Sequence, residues 1–319
     1  MIAGRICPFF TSLPEIRAFM ADTSPQTSDA WTIGRLLAWT RAHFESRGIE
    51  DARLCAELLL AKALGCKRIE LYARIEMVPG DGQRAAFREL VRAAAEHQPI
   101  AYLIGTREFY SLDFEVTPDV LIPRPETELL VERALAWIAA HPAERHDVLD
   151  LGTGSGCLAI AICKRAKSVR AVAVDISGAA LAVAERNAGR HGVADRVSCE
   201  TGDMFEFPAG RRPAGGFDVI VSNPPYIADA DRETLPENVR RYEPHVALFA
   251  GTDGLAAYRK IAAGVKSALK PGGMLIIEVG AGQADAVERL LSSEGGLTPM
   301  GRYRDLAGIQ RAVELTLPA

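Results

Sequence analysis

Four places in the chain carry residue types that can do chemistry together. The first is Asp150-Leu151-Gly152-Thr153-Gly154-Ser155-Gly156-Cys157, which follows an apolar, strand-like run and precedes a helix-like one. Glycine at every second position lets the backbone pass close to a ligand, and a helix N-terminus just beyond supplies N–H groups and positive dipole. The spacing is G-x-G-x-G, not the dinucleotide G-x-G-x-x-G. The second place is Asp175, which ends the apolar run Ala171-Val172-Ala173-Val174. An acid there can accept both ribose hydroxyls of a nucleoside. The third is Gly202-Asp203-Met204, where a polar–apolar pair can bracket an adenine ring. Three successive strand ends so equipped make a nucleoside-binding crevice; the plainer alternative is three loops that serve turn geometry alone.

The fourth place is Asn223-Pro224-Pro225-Tyr226, after the apolar run 217–222. Consecutive prolines lack N–H donors and fix φ, which leaves carbonyls pointing outward. Asn223 offers a side-chain acceptor and donor, and Tyr226 a flat face. Together they suit a planar –NH2 group conjugated to a carbonyl or an aromatic ring. Such a nitrogen is a poor nucleophile because its lone pair is delocalised, as the ~18–20 kcal/mol amide rotation barrier shows. Two acceptors on its hydrogens, Asn223 Oδ1 and the Pro224 carbonyl, would orient it toward an electrophilic methyl group. No strong base is required, because the nitrogen becomes acidic once alkylated. A rigid Pro-Pro turn with no chemical role is the competing reading.

These four places need a scaffold that lines up strand ends. From residue 146 onward strands and helices alternate, which predicts an α/β domain with a mostly parallel sheet and helices on both faces. Strands are expected at 147–151, 170–175, 196–200, 217–222, 273–279 and 311–317, with another near 298–303 that forms an antiparallel edge with the last. The chain of 319 residues has 48% apolar and 24% charged residues, values that fit a folded two-domain protein and exclude a disordered one. No apolar run approaches the ~20 residues of a membrane span. Net charge is -4, and 106–319 holds 24 basic against 29 acidic residues, so no basic excess supports a large nucleic-acid footprint. The six cysteines form no C-x-x-C pair and no His cluster accompanies them, so no metal site is expected. Cys55, Cys157 and Cys163 read as small core residues in a reduced, cytoplasmic protein.

Ahead of the α/β domain, residues 1–30 read as a tail or extension, with Met20 a plausible alternative start. Residues 31–104 read as a small helical bundle. Ile33, Leu36, Leu37, Thr40 and Phe44 stripe a first helix, and Leu54, Leu58, Leu59 and Ala63 a second that stops at Gly65. A short helix is expected at 69–75, and a fourth carries Phe87, Leu90, Val91 and Ala94 inward until Pro99. Residues 105–145 read as a connecting segment. It holds a hairpin around Ser111-Leu112-Asp113, then Leu121-Ile122-Pro123-Arg124-Pro125-Glu126-Thr127-Glu128 leading into a helix with Pro125 in its first turn. Whether 124–128 is a mere linker or borders the active site stays open at this level.

The chain resembles bacterial peptide chain release factor glutamine N5-methyltransferases, which use S-adenosylmethionine. The resemblance runs from about Trp31 to Leu317. It is carried by Glu108-Phe109, Phe114-Glu115-Val116, the block at 121–128, Asp150 to Gly156, Val174-Asp175-Ile176-Ser177, and Ser222 to Ile227. It continues through Tyr242-Glu243-Pro244, Ala247-Leu248, Gly251 to Leu255, Glu278-Val279-Gly280, Gln283, Asp305-Leu306-Ala307-Gly308 and Arg311. Asn-Pro-Pro-Tyr alone is shared with DNA and RNA amino-methyltransferases; the Pro-Arg-Pro and Tyr-Glu-Pro blocks are more specific. The resemblance implies a Rossmann-like class I methyltransferase sheet preceded by the helical bundle. It implies that Gly152, Thr153, Gly154, Ser155, Gly156, Asp175, Met204 and Asn223 hold S-adenosylmethionine, with Met204 standing where the family often has Trp. Asn223, Pro224, Pro225 and Tyr226 would hold the substrate amide, with Asn223, Pro224 and Tyr226 catalytic. The implied substrate is the Gln of the Gly-Gly-Gln loop in class-I release factors, docked with help from residues 31–104. A ribosomal-protein glutamine methyltransferase, a nucleic-acid amino-methyltransferase and a non-enzymatic cofactor-binding adaptor are the alternatives.

Overall fold

The computed structural model describes residues 30–319; all but the last residue of the expected tail, Met20 included, lies outside them. The chain divides into two compact units between Ile104 and Gly105. In the first, α1 (Ile33–Ser46) starts at Thr32, whose hydroxyl accepts the Arg35 N–H at 3.2 Å, and buries Ile33, Leu36, Thr40 and Phe44. Helix α2 (Ala52–Leu64) ends at Gly65 as expected, but its inward face is rotated. Ala52, Cys55, Ala56, Leu59 and Leu60 are buried, whereas Leu54 is 36% exposed. Leucine and alanine on nearly every side of this helix leave the period ambiguous, so packing chooses the face.

Helix α3 covers only Arg68–Ala73, and Ile69 faces outward. The carbonyls of Ile75 and Met77 instead accept the Gly34 and Ile33 N–H groups, both at 2.9 Å. They satisfy the open first turn of α1. Helix α4 (Asp81–Ala95) buries Phe87, Val91 and Ala94, with Leu90 half-buried. A fifth helix, α5 (Ile100–Ile104), follows Pro99 where the sequence reading placed none.

The second unit opens with the hairpin β1 (Thr106–Phe109) and β2 (Leu112–Glu115). Its turn is Tyr110-Ser111, both at positive φ (52° and 59°), so Leu112 and Asp113 are strand residues and not the turn. Two left-handed residues match the right-handed twist of a two-residue hairpin. A 3-10 turn (Pro125–Thr127) leads into α6 (Glu128–Ala140). Then follow β3 (His146–Leu151), α7 (Cys157–Arg165), β4 (Val169–Asp175), α8 (Gly178–Arg190), β5 (Val197–Thr201) and β6 (Phe217–Ser222). The short α9 (Glu237–Tyr242), α10 (Ala256–Ala268), β7 (Leu269–Glu278), α11 (Ala284–Ser293), β8 (Thr298–Arg304) and β9 (Gln310–Thr316) complete the unit.

The sheet order is β5-β4-β3-β6-β7-β9-β8. Strands β5 to β7 run parallel, and β9 pairs antiparallel with both β7 and β8, as expected for the edge. Alternate residues feed two cores: Val148, Val219, Val221 and Ile276 pack on one face with α6 and α7, and Leu149, Ile220, Leu275 and Ile277 on the other with α10 and α11. The chain winds from β3 outward to β5 and then returns to β6 on the far side of β3. That reversal opens a crevice at the C-terminal ends of β3 and β6.

Candidate active site

The register sets the site. Leu151 pairs with Val174 on one side and Ser222 on the other, so Gly152, Asp175 and Asn223 leave the sheet side by side. A Cβ built on Gly152 would lie 4.0 Å from the Asn223 carbonyl oxygen. Gly152 and Thr153 both donate their N–H to the Val174 carbonyl at 2.9 Å, which folds the glycine loop over the end of β4. Asp150 beneath it is fully buried; its Oδ2 accepts from Thr153 Oγ1 at 2.6 Å and from the Ala159 N–H at 3.2 Å. Its Oδ1 has no partner, and burial pushes the carboxyl up to about 6.

Asp175 is fixed by backbone. Gly154 N–H donates to its Oδ2 and Ser177 N–H to its Oδ1, each at 2.9 Å. Burial raises its pKa, and these bonds oppose the rise. Gly152, Thr153, Gly154, Ser155, Asp175, Met204, Asn223 and Pro225 line one cleft of about 260 Å³, together with Arg124, Thr127 and Lys260. Gly156 does not line it. At φ 82° it caps α7 instead, and a Cβ there would meet Ile160 Cδ1 at 2.8 Å and Ala184 Cβ at 3.1 Å. Met204 sits at φ 54°, with neighbouring Asp203 paired to Lys260. Asn187 of α8 clips the loop from behind: its Nδ2 donates to the Ser155 carbonyl at 2.9 Å. A mostly apolar cleft, a loop of open backbone and a fixed carboxylate fit the purine, the amino-acid tail and the ribose diol of S-adenosylmethionine. Among the described residues no group of three or more His, Cys, Asp or Glu could hold a metal.

The Asn-Pro-Pro-Tyr turn is held from several directions. Gln283 Nε2 donates to the Tyr226 carbonyl at 3.0 Å, and Gln283 Oε1 accepts the Gly280 N–H at 3.0 Å. Gly254 passes so close that a Cβ would fall 2.4 Å from the Tyr226 oxygen. Pro224 and Tyr226 lie outside the residues that line the cleft. The Tyr226 hydroxyl faces Glu278 Oε1 at 3.5 Å, and burial pushes that phenol up to about 12.

Two residues that the sequence reading assigned no role enter here. Asn223 Nδ2 donates to Thr127 Oγ1 at 3.0 Å, and Thr127 Oγ1 donates to Glu278 Oε2 at 2.6 Å. Burial pushes the Glu278 carboxyl up to about 7, with Thr127 and Arg311 pulling the other way. Thr127 belongs to the block at 121–128, so that segment does border the site. Its neighbour Arg124 pairs with buried Glu243, which also accepts the Ile122 N–H at 3.3 Å. The Pro-Arg-Pro and Tyr-Glu-Pro blocks thus meet through one ion pair. A charged residue ending an otherwise apolar strand was the signal for Glu278; no local signal marks Thr127.

A family model described as PrmC N-terminal domain matches residues 35–105, and one described as methyltransferase domain matches 143–295. The release factor glutamine methyltransferase of Rhodopirellula baltica is 44% identical over 298 residues, 93% of this chain and 99% of its own length. That of Geobacter sulfurreducens is 46% identical over 285 residues, 89% of this chain and 96% of its own. The hMettl16 catalytic domain, solved with the MAT2A 3′UTR hairpin 6, shares the fold: TM-score 0.51 at 14% identity, covering 67% of this chain and 78% of that one. With relatives this similar over almost the whole length, the chain belongs to the release factor glutamine methyltransferase family.

Proposed function

We propose that the protein transfers a methyl group from S-adenosylmethionine to the side-chain amide nitrogen, N5, of the glutamine in the Gly-Gly-Gln motif of class-I peptide chain release factors, and so modulates translation termination. The observation that carries this reading is the placement of Asn223 beside the loop at 152–155, with the Asn223 amide held from behind by Thr127. When bound, S-adenosylmethionine supplies an electrophilic methyl on a sulfonium. The loop at 152–155 and Asp175 would hold the cofactor and Met204 would pack on its purine; methyl transfer from a sulfonium needs no electron acceptor. Asn223 Oδ1 and the Pro224 carbonyl, on which no protein donor lies among the described residues, accept the two N–H hydrogens of the glutamine amide. Tyr226 and Pro225 flank its plane. Holding nitrogen and methyl in line can supply up to ~7–11 kcal/mol, and fixed acceptors add more as charge develops on nitrogen. The proton lost from the alkylated amide is acidic enough to leave to water.

Residues 31–104 act in this scheme as the substrate-recognition domain, 105–145 as a connecting hairpin and helix, and 146–319 as the methyltransferase domain. Release factors work in the cytoplasm, and no described helix is long and apolar enough to cross a membrane. The test is transfer of labelled methyl from S-adenosylmethionine to an intact release factor, followed by peptide mapping. Label on the Gly-Gly-Gln glutamine, abolished by Gln→Ala there, supports the reading. Label that goes instead to a ribosomal protein, DNA or RNA overturns it.

A further inference from the structure

An asparagine amide fits its site in two nearly isosteric orientations, one presenting the oxygen and the other the NH2. Only the first can accept hydrogens from a substrate nitrogen. The choice is made outside the Asn-Pro-Pro-Tyr turn. Thr127 has a single hydroxyl proton, and it is given to Glu278 at 2.6 Å. With that proton committed, Thr127 Oγ1 can only accept from Asn223, which it does at 3.0 Å. Reversing the amide would set Asn223 Oδ1 against an oxygen with no proton to offer, or strip Oε2 of buried Glu278 of its Thr127 donor.

We propose that Thr127 and Glu278 are positioning residues for methyl transfer: they lock the Asn223 amide so that Oδ1 is the face presented to the substrate nitrogen. The assignment rests on the functional reading above. Neither residue touches the reacting atoms; both act through Asn223.

The lock is sensitive to the charge of Glu278. As a carboxylate it accepts the Thr127 proton. Once protonated it can donate to Thr127 Oγ1, which frees the threonine proton to swing toward Asn223 and favour the reversed amide. Glu278 faces Arg311 from β9, Glu126 from the 3-10 turn, Tyr226 from the loop, Tyr258 from α10 and Cys157 from α7. Arg311 opposes protonation; burial and Glu126 favour it, which leaves the carboxyl titrating near 7.

The experiment uses the full chain, an intact class-I release factor and labelled S-adenosylmethionine. Thr127→Val keeps the shape and removes the hydroxyl, while Thr127→Ser keeps the hydroxyl and removes a methyl. We expect T127V to lower kcat about 10- to 100-fold, the size of a lost hydrogen bond to a charged group, with cofactor Kd near wild type and Tm lowered by the unpaired Glu278, and T127S to recover most of the activity. A packing role predicts the reverse ranking, and T127V as active as wild type, or T127S as impaired as T127V, overturns the lock. Should T127V fail to fold, Glu278→Gln decides. Wild-type kcat/KM should rise with pH through about 7, and E278Q, whose amide can accept from Thr127 or donate to it but does not titrate, should lose that limb. Persistence of the limb in E278Q refutes the proposal. A wild-type enzyme that leaves the release factor unmethylated overturns the functional reading, and the lock with it; a wild-type enzyme that methylates while T127V keeps pace overturns the lock alone.

Discussion

The two halves of the site are built by different means. On the cofactor side, Asp175 is held by the N–H groups of Gly154 and Ser177, and the glycine loop hangs on the Val174 carbonyl. Most of the bonds there have a backbone group on at least one side and span about thirty residues or fewer. On the acceptor side, Asn223 depends on Thr127, 96 residues upstream, and the turn on Gln283, 57 residues beyond Tyr226. The Asn223–Thr127–Glu278 links run from side chain to side chain, and Thr127 and Glu278 are buried. A site made largely of backbone groups tolerates changes in side chain. A site made of a buried side-chain network does not, because removing one member leaves another unsatisfied.

The largest expected effect tests the acceptor half. Asn223→Ala should reduce kcat/KM for the release factor by about 10²–10³-fold, the loss typical of one transition-state hydrogen-bonding group, with a much smaller change in cofactor Kd. Equal losses in both would erase the distinction between the halves. Next, Asp175→Ala should weaken S-adenosylmethionine binding about 10- to 100-fold, measured by calorimetry, while kcat at saturating cofactor stays close to wild type. A collapse of kcat would mean that Asp175 also orients the methyl.

A third prediction concerns the floor of the cofactor half. Burial lifts the Asp150 carboxyl from its ordinary 3.8 to about 6 in the folded protein. The folded state therefore holds a proton that the unfolded state releases between those values, so the Asp150 contribution to stability falls as pH rises through that window. Urea midpoints at pH 5 and pH 8 should differ more for wild type than for Asp150→Asn, and equal differences would show that Asp150 is ionised throughout. The smallest effect belongs to the adaptable wall: Met204→Ala should raise cofactor Kd only about threefold, the scale of a thioether contact. A loss as large as that of D175A would show that this side chain, and not the backbone, anchors the purine.

What could be read along the chain followed the same division. The glycine loop, Asp175 and Asn223-Pro224-Pro225-Tyr226 each sit at the end of an apolar run, so a short apolar run followed by loop residues located them. The strands from β3 to β9 came out close to their observed bounds, though β7 begins at Leu269, four residues ahead of the expected start, because Phe217 pairs with Leu269 before the register shifts. The helical unit was legible in its four main helices and in the inward faces of α1 and α4, but not in the face of α2. The buried side of α2, the early end of α3 and the presence of α5 depend on which neighbour supplies apolar surface or a free carbonyl.

The order of elements and the motifs at the strand ends were determined by sequence alone, since propensity, hydrophobic period and turn chemistry act over a few neighbouring residues. Which of two amide orientations Asn223 adopts was decided only by the tertiary fold. That choice hangs on a single hydroxyl proton shared between residues from a 3-10 turn, a loop and a distant strand. A hydrogen-bond network of this kind has no period and no spacing; it exists only where the sheet brings its members within 3 Å of one another.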